Sequence, residues 1–441
     1  MSSDTLKLDD LVKIKGGKRL PKGANLQEEQ NEHPYIRVRD MGNKFIPRDG
    51  LEYVPDDVFP EINRYIVESG DLIISIVGTI GLVSLIDEYF HEASQTENCA
   101  KLSGLDKIDG EYLYYFLISK TGQDEIHKNT VGAVQKKLPL YGIKNIDVVW
   151  PEREKRELIV NNLSNLDQKI HLNQQTNETL EAMAQAIFKS WFVDFDPVRA
   201  KIEAASADRA PNRAAMAAIA GISLDQDWDE IEVALDQKLA QMSEAQQKQF
   251  TRTAQLFPDE LVESEIGEVP KGWEISKLED YLTLSYGKGL RKKDREEGKV
   301  PVYGSGGLTG THDESLIEGP GIIVGRKGTV GSIYWEDRDF WPIDTVFYVE
   351  PKNEVDFSFY YYLLNTLGLD EMNTDAAVPG LNRNNAYRLQ IPRFPEKIMV
   401  RFADFTADLH NMMRIKKAEK KTLENVRDTL LPKLISGEVE V

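Results

Sequence analysis

A long heptad pattern near the middle of the chain, repeated near its end, restricts the possible folds most strongly. Between Pro151 and Phe195, apolar or amide residues follow one another at alternating steps of four and three, which is the seam of a coiled coil. The same register returns at one constant offset of 243 residues. The equivalent helix-pairing positions are Ile159 and Phe402, Leu166 and Leu409, Asn173 and Lys416, Leu180 and Leu423, and Ile187 and Leu430. Helices of this length need a partner for their apolar stripe, and each is the nearest candidate for the other.

Both predicted helices are polar in the middle of the seam. The first has Asn173 and Asn177 there, and the second has Lys416 and Glu419. Because buried polar groups need partners, matched interruptions favour pairing in one register. The direction of the pairing stays open at this point, since a connector of 69 residues, 197–265, could reach either end of the first helix.

The segments that precede the two helices are also similar to each other. Residues 71–81, DLIISIVGTIG, match residues 321–331, GIIVGRKGTVG, at an offset of 250, and residues near Gly17 match those near Gly287 at an offset of 270. In residues 1–150, apolar strands alternate with turns rich in Gly, Pro, Asn and Asp, and a short helix is predicted around Gly110–His127.

These repeats predict five segments in the order domain, helix, connector, domain, helix. We assign residues 1–150 to the first domain, 151–196 to the central helix, 197–265 to an Ala-rich acidic connector, 266–395 to the second domain and 396–441 to the C-terminal helix. Short helices are predicted in the connector at Arg213–Ala220 and Trp228–Met242. The fold class is therefore α+β, with two similar mixed α/β domains and two long helices.

Composition favours a cytoplasmic protein with several domains. The chain has 441 residues and one cysteine, Cys99, which fits a reducing compartment. The first residues lack the apolar core of a signal peptide, and the most apolar run, Asp71–Ile86, is too short to span a membrane.

Motifs for catalysis are missing from the sequence. The six histidines lack metal-ligand spacing, and no phosphate-binding GxxxxGK[ST] loop occurs. The Gly-rich segments Gly304–Gly310 and Gly325–Gly331 are interpreted as tight turns. An enzyme acting on its own is therefore the least favoured of the function classes.

Basic residues recur at corresponding places in the two copies, although the net charge is −19. Lysine and arginine bind phosphate, and Arg, Asn and Gln also recognise base edges. In the second copy, Asn382–Asn385 lie near the end of the domain as Gln135 and Lys136 do in the first. A solvated charge run is the ordinary alternative for any one cluster. The predicted DNA-binding residues are Lys18, Arg37, Arg39, Gln135, Lys136, Lys288, Arg291, Arg326, Lys327 and Arg383.

Several stretches resemble the specificity subunits of type I restriction-modification systems. They are IFKSWFVDFDPV (187–198), FPDELVESEIGEVPKGWE (257–274), PVYGSGGLTGTHDE (301–314), GIIVGRKGTVGSIYW (321–335) and LLPKLISGEV (430–439). The similarity covers nearly the whole chain, in the same order and in both copies.

The resemblance implies two target recognition domains separated by two long antiparallel coiled-coil helices and related by a pseudo-two-fold axis. In such a protein each domain recognises one half of a bipartite double-stranded DNA target, and the helices set the spacer and dock two modification subunits. It also implies that S-adenosylmethionine and ATP bind to partner modification and restriction subunits, with no cofactor and no metal on this non-catalytic chain. The alternative hypothesis is a structural adaptor, with two protein-binding domains on a coiled-coil strut.

Overall fold

Two groups of residues form separately packed units in the computed structural model of the chain. The first unit contains Met1–Thr176 together with Ile415–Val441, and the second contains Asn177–Arg414. The structure describes residues 4–48, 50–132, 136–372 and 380–439. Within those ranges, no helix is long and apolar enough to cross a membrane.

Short strands and helices make up the N-terminal part of the first unit. The strands are β1 (Asp4–Lys7), β2 (Lys13–Gly16), β3 (Pro34–Ile36), β4 (Glu52–Tyr53), β5 (Leu72–Ser75), β6 (Val83–Leu85), β7 (Ser94–Gln95), β8 (Cys99–Ser103) and β9 (Asp147–Trp150). The helices are α1 (Leu8–Leu11), α2 (Phe59–Ile62), α3 (Lys107–Ile118), α4 (Lys120–Lys128) and α5 (Leu140–Lys144), with 3-10 turns at Val38–Asp40, Asn63–Tyr65 and Glu88–Phe90.

The rest of the chain begins with the central long helix and ends with the C-terminal one. The helices are α6 (Arg153–Phe192), α7 (Asp196–Ser206), α8 (Pro211–Ile219), α9 (Trp228–Ala240), α10 (Glu244–Leu256), α11 (Phe357–Asn365), α12 (Arg383–Tyr387) and α13 (Glu396–Ser436). The strands are β10 (Leu261–Ser264), β11 (Gly267–Pro270), β12 (Ile275–Lys277), β13 (Leu282–Tyr286), β14 (Val300–Gly304), β15 (Gly307–His312), β16 (Gly321–Gly325), β17 (Ile333–Glu336), β18 (Trp341–Pro342), β19 (Val346–Pro351) and β20 (Gln390–Pro392). Single 3-10 turns lie at Leu278–Asp280 and Lys292–Asp294.

The two units share one sheet topology. In the first, strands in the order β2-β8-β5-β6 form an antiparallel sheet, and β4-β3-β7 form a second sheet in which β3 and β7 are parallel. In the second, β13-β19-β16-β17 and β15-β14-β18 repeat both arrangements, including the parallel pair β14 and β18. The α+β class and the internal repeat predicted from sequence are confirmed.

Gly17 and Gly287 occupy the same crowded position in the two units. A Cβ atom added to Gly17 would clash with the carbonyl oxygen of Thr96, and one added to Gly287 would clash with that of Ile343. Only glycine allows the backbone to approach so closely. This requirement explains why both glycines are part of the sequence repeat.

The long helices pack antiparallel within the first unit. Arg427 on α13 donates to the Asp167 carboxylate on α6 at 3.0 Å, and Lys420 donates to the Gln174 side chain at 3.1 Å. Residue numbers thus rise along one helix while they fall along the other. The direction that the sequence left open is thereby determined for this unit.

The second unit shows the same antiparallel direction. Phe402 on α13 packs on Phe188 of α6 with ring centres 5.4 Å apart, and Tyr362 on α11 joins Glu181 of α6 to His410 of α13 through contacts of 3.2 Å. All ten predicted helix-pairing positions in the chain are buried or half-buried. The seam is therefore covered along both long helices.

Helices α7–α10 are packed into the second unit's core rather than forming an open connector. Val198, Met216 and Phe250 belong to the same buried cluster as Trp191 of α6 and Phe402 of α13. The predicted connector helices correspond to α8 and α9, while α7 and α10 were not predicted. The buried faces of α7 and α10 include small or polar residues, such as Ala204 in α7 and Thr253 in α10, so the hydrophobic spacing is weak.

The predicted helix around Gly110–His127 is two helices, and that prediction was wrong. The chain is extended at Ser119, between α3 and α4, and the Ser119 hydroxyl accepts a hydrogen bond from the Gly122 N–H. Serine at this position caps the second helix and so ends the first.

Candidate nucleic-acid interface

In the second unit, two of the predicted DNA-binding arginines lie against one exposed tyrosine ring. Tyr286 ends β13 and is 51% exposed, Arg326 follows β16, and Arg383 begins α12. The guanidinium carbons of Arg326 and Arg383 lie 5.1 Å and 4.8 Å from the Tyr286 ring centre. Cation–π attraction at these distances holds both guanidinium groups in place. The structure thus brings together residues that are far apart in the sequence.

Backbone carbonyls fix the two guanidinium groups only in part. Arg326 donates to the carbonyl oxygen of Asp344 at 2.7 Å, and Arg383 donates to that of Leu284 at 3.4 Å. The Nε atoms of both arginines are buried, with no hydrogen-bond partner among the described residues. Arginine carries five N–H donors, so each group has donors left for a ligand.

These side chains line a cavity of about 350 Å³. Its described lining includes three cations, Arg326, Lys327 and Arg383, and no carboxylate. The remaining described lining residues are Tyr286, Phe347, Gly380, Leu381, Asn382 and Asn384. Such a lining suits a ligand rich in hydrogen-bond acceptors or carrying negative charge, as nucleic acid does.

Lys18 and Lys288 occupy equivalent exposed positions in the two units. Each directly follows one of the two crowded glycines, and its backbone N–H donates across the sheet edge, to Gln95 in one unit and Pro342 in the other, at 2.9 Å. Each ammonium group lies 5.7 Å from the centre of an aromatic ring. The repeat therefore places one exposed lysine in the same setting twice.

The predicted residues Arg37 and Arg39 are held in ion pairs. Arg37 pairs with both Glu52 and Asp40, and Arg39 pairs with Glu52 at 3.0 Å. Arg39 lies in the 3-10 turn Val38–Asp40, and Arg37 directly precedes that turn. The turn forms because the Asp40 carboxylate accepts from the Arg37 N–H at 2.8 Å. Their contact with DNA stays a prediction, and it would compete with these carboxylates.

The remaining predicted residues are not gathered at the arginine cavity. Arg291 is exposed and pairs with Asp294 three residues later, and Lys136 is exposed. Gln135 lies outside the described residues. The structural counterpart of Arg383 in the first unit is Leu140, because Leu140 begins α5 as Arg383 begins α12. The residues two positions before them make equivalent backbone hydrogen bonds, so neither Gln135 nor Lys136 takes the place of Arg383. The sequence comparison matched Gln135 and Lys136 to this segment only because both lie near the end of a domain, and that criterion could not identify Leu140.

Sequence reasoning missed a buried charge cluster that joins the first domain to the long helices. The Lys44 ammonium lies 2.8 Å from the Glu111 carboxylate and 2.8 Å from the Tyr115 hydroxyl. Tyr115 donates to Asp167 at 2.6 Å, and Arg427 binds the other oxygen of that carboxylate. Burial, reinforced by Asp167, raises the pKa of Tyr115 far above its usual value, so Tyr115 stays protonated and donates.

The second unit has a different polar group at the same kind of junction. The Tyr362 hydroxyl lies 3.2 Å from Glu181 on α6 and 3.2 Å from the His410 ring on α13. Burial lowers the pKa of His410, although Glu181 opposes this change. The indole ring of Trp335 packs on the same histidine at 5.9 Å between ring centres.

Comparison with known proteins gives one consistent result. The family model of the type I restriction modification DNA specificity domain matches residues 2–182 and 270–425. The HindI type I restriction enzyme specificity subunit of Haemophilus influenzae is 28% identical over 363 residues, covering 75% of this chain and 77% of the relative. The MjaIX specificity subunit of Methanocaldococcus jannaschii is 21% identical over 465 residues, covering 99% and 94%.

A solved structure agrees at the level of the fold. The S subunit of a type I restriction-modification system from M. genitalium superposes with a TM-score of 0.50 at 20% identity, covering 98% of this chain and 95% of that chain. None of these comparisons supports the adaptor hypothesis. The two matched stretches contain both copies of the repeat and most of both long helices. The chain therefore belongs to the family of type I restriction-modification DNA specificity proteins, whose members are the DNA-recognition subunits of those systems rather than their catalytic ones.

Proposed function

We propose that this chain selects a bipartite double-stranded DNA target, with each unit binding one half. The observation that carries this proposal is the duplication, because the same two-sheet topology occurs in both units with Lys18 and Lys288 at equivalent exposed positions. Lysines of this kind bind phosphate and fix the register on the duplex, while arginine and apolar side chains recognise base edges. Two similar surfaces then recognise two separate halves.

The long helices are proposed to set the unread gap between the halves. Helix α6 has 40 residues and α13 has 41, and each contributes residues to both units. At 1.5 Å per residue, each is roughly 60 Å long. A covered seam makes such a pair stiff, and roughly 34 Å corresponds to one turn of DNA, so helices of this length suit a gap between separate half-sites.

We further propose that two modification subunits dock on the long helices. Exposed apolar side chains recur at the helix offset of 243: Leu172 and Ile415 are both 54% exposed, and Met183 and Val426 are 48% and 41% exposed. Apolar residues that face solvent at repeated positions favour a partner that binds in two copies. Restriction subunits would join the same complex.

The chemistry is proposed to reside on these partners. S-adenosylmethionine would bind to the modification subunits and ATP to the restriction subunits, while this chain supplies target selection. Partner subunits would also provide part of the phosphate contact, which makes the net charge of −19 tolerable. We place the complex in the cytoplasm, where DNA is available and a free thiol such as buried Cys99 stays reduced.

Selection of binding sites from random duplex DNA tests the proposal. The full chain, purified with the modification subunits of its own system, should enrich two defined half-sites with a fixed gap. A Lys288→Ala/Arg326→Ala variant should lose the second half and keep the first. Lys271→Ala, which removes an exposed lysine paired with Glu260, is the control and should leave both halves intact. Enrichment of no sequence by the unaltered complex would contradict the proposal.

A further inference from the structure

We propose that the two units recognise chemically different bases at one equivalent position. The second unit would bind a guanine through Arg326 and Arg383, and the first would bind a thymine through Leu140 and Tyr141. This inference rests on the proposed function, because it names the bases that the two surfaces select.

The equivalence of the two positions follows from matching hydrogen bonds. In the second unit, the Leu381 N–H donates to the carbonyl of Arg326 at 2.8 Å. In the first, the Leu138 N–H donates to the carbonyl of Ile76 at 2.9 Å. Ile76 thus corresponds to Arg326, and Leu138 corresponds to Leu381. The residues two positions after these leucines begin helices α5 and α12, and they also correspond to each other.

The strand ends next to these residues also differ between the units, with aromatic residues in the second unit and small residues in the first. Tyr286, the last residue of β13, is opposite Phe347 in the sheet, whereas Gly16, the last residue of β2, is opposite Ala100. A Cβ atom on Gly16 would lie 3.9 Å from the Leu140 side chain. Leucine therefore lies beside the end of the strand in the first unit, where Arg383 lies beside Tyr286 in the second.

Each surface matches one kind of base edge in the major groove. Guanine presents two acceptors, N7 and O6, and arginine is the side chain that most often binds both. Thymine presents a methyl group, which apolar side chains contact. Leu140 is 39% exposed and Tyr141 is 61% exposed, so apolar surface is available in the first unit, while Arg326 and Arg383 line the open cavity of the second.

Phosphate binding alone does not explain the difference between the units. An isolated bridge joins Val77 to Lys137 in the first unit and Lys327 to Gly380 in the second. Both bridges therefore carry one lysine, although on opposite strands. A cation suited to phosphate is kept in each unit, and the arginines are the additional feature of the second.

Atom-level changes in the DNA test the inference after the target has been selected with the unaltered complex. Replacing the recognised guanine in the second half with 7-deazaguanine removes N7, and should weaken binding roughly tenfold to a hundredfold. Replacing the recognised thymine in the first half with deoxyuridine removes only the methyl group, and should weaken binding about threefold to fivefold. Each base of the two halves is replaced in turn.

Protein variants then assign the effect to side chains. Arg326→Lys and Arg383→Lys keep the charge but lose bidentate binding, so at least one should abolish both guanine preference and sensitivity to 7-deazaguanine. Leu140→Ala should bind thymine and uracil targets equally. Arg388→Lys, at an exposed residue directly after α12, is the matched control and should change nothing.

Two failures are distinguishable. If the unaltered complex enriches two half-sites but both arginine variants and Leu140→Ala keep the original base preferences, this inference is wrong and the proposed function stands. If the unaltered complex enriches no bipartite site, the proposed function itself fails.

Discussion

Replacing Lys44 with methionine should destabilise the first unit strongly. The Lys44 side chain is 5% exposed, and those of its partners Glu111 and Asp167 are 7% and 4% exposed. Asp167 keeps Tyr115 and Arg427 in the variant, but the Glu111 carboxylate loses its ion-pair partner in a buried site. Breaking a buried pair by removing one partner costs about 3–5 kcal/mol. The free energy of unfolding of the first unit should fall by that amount.

A second substitution separates charge burial from packing. Glu111→Leu combined with Lys44→Met removes both members of the pair, and replacing a buried ion pair with apolar residues is often neutral. The double variant should therefore recover most of the loss. Lys120→Met is the control, because Lys120 pairs with Asp124 at an exposed site where such pairs contribute about 0–1 kcal/mol.

Hydrogen exchange followed by mass spectrometry measures this effect in the full chain. Amides of α3 in the first unit should exchange roughly a hundredfold to several thousandfold faster in Lys44→Met, as about 1.4 kcal/mol corresponds to a tenfold change. Amides of α11 in the second unit should keep their rates. A change below about 1 kcal/mol in α3, or a double variant no more stable than Lys44→Met, would refute the reasoning.

Three further predictions follow from other parts of the structure. Gly287→Ala should lower the stability of the second unit by about 1–3 kcal/mol in urea unfolding, because the new methyl clashes with backbone carbonyls, whereas Gly289→Ala has room and should change it little. Burial lowers the pKa of His410 below its value in the unfolded chain. The stability that neutral His410 contributes to the fold is therefore present above about pH 6.5 and is lost as the pH falls towards the folded pKa. Thermal unfolding should show less destabilisation by acid in His410→Gln than in the unaltered chain. Lys18→Ala and Lys288→Ala should each reduce the slope of log affinity against log salt by about one, without changing the selected bases.

Periodic features were predictable from the sequence because each depends on spacing along the chain. The seam positions must recur every three or four residues to face a partner helix, and the ten predicted ones are covered. The repeat around Gly17 and Gly287 was visible for a related reason, since a backbone contact that only glycine permits is kept in both copies. The direction of helix pairing required two contacts, of Arg427 with Asp167 and of Lys420 with Gln174, which no spacing rule supplies.

Long-range side-chain contacts were beyond the sequence. Tyr286 lies two residues before Lys288 in the sequence. Nothing in the residues beside it shows that two arginines from distant segments lie against its ring. Arg37 was predicted from its charge, but its pairing with Glu52 depends on the position of strand β4, fifteen residues away. Lys44 and Asp167 are separated by a whole domain in the sequence, so their burial side by side could not be foreseen.

The most direct test of the account is a map of the methylated sites in DNA that has been modified by the complex of the modification subunits with a shortened chain. Removal of residues 170–176 and 413–419 deletes one heptad at equivalent places in α6 and α13 and keeps the seam in register. Each helix loses about 10 Å, so the account predicts the original two half-sites with a gap about three base pairs shorter. An unchanged gap, or altered half-sites, would contradict the claim that the helices set the distance between two separate recognition units.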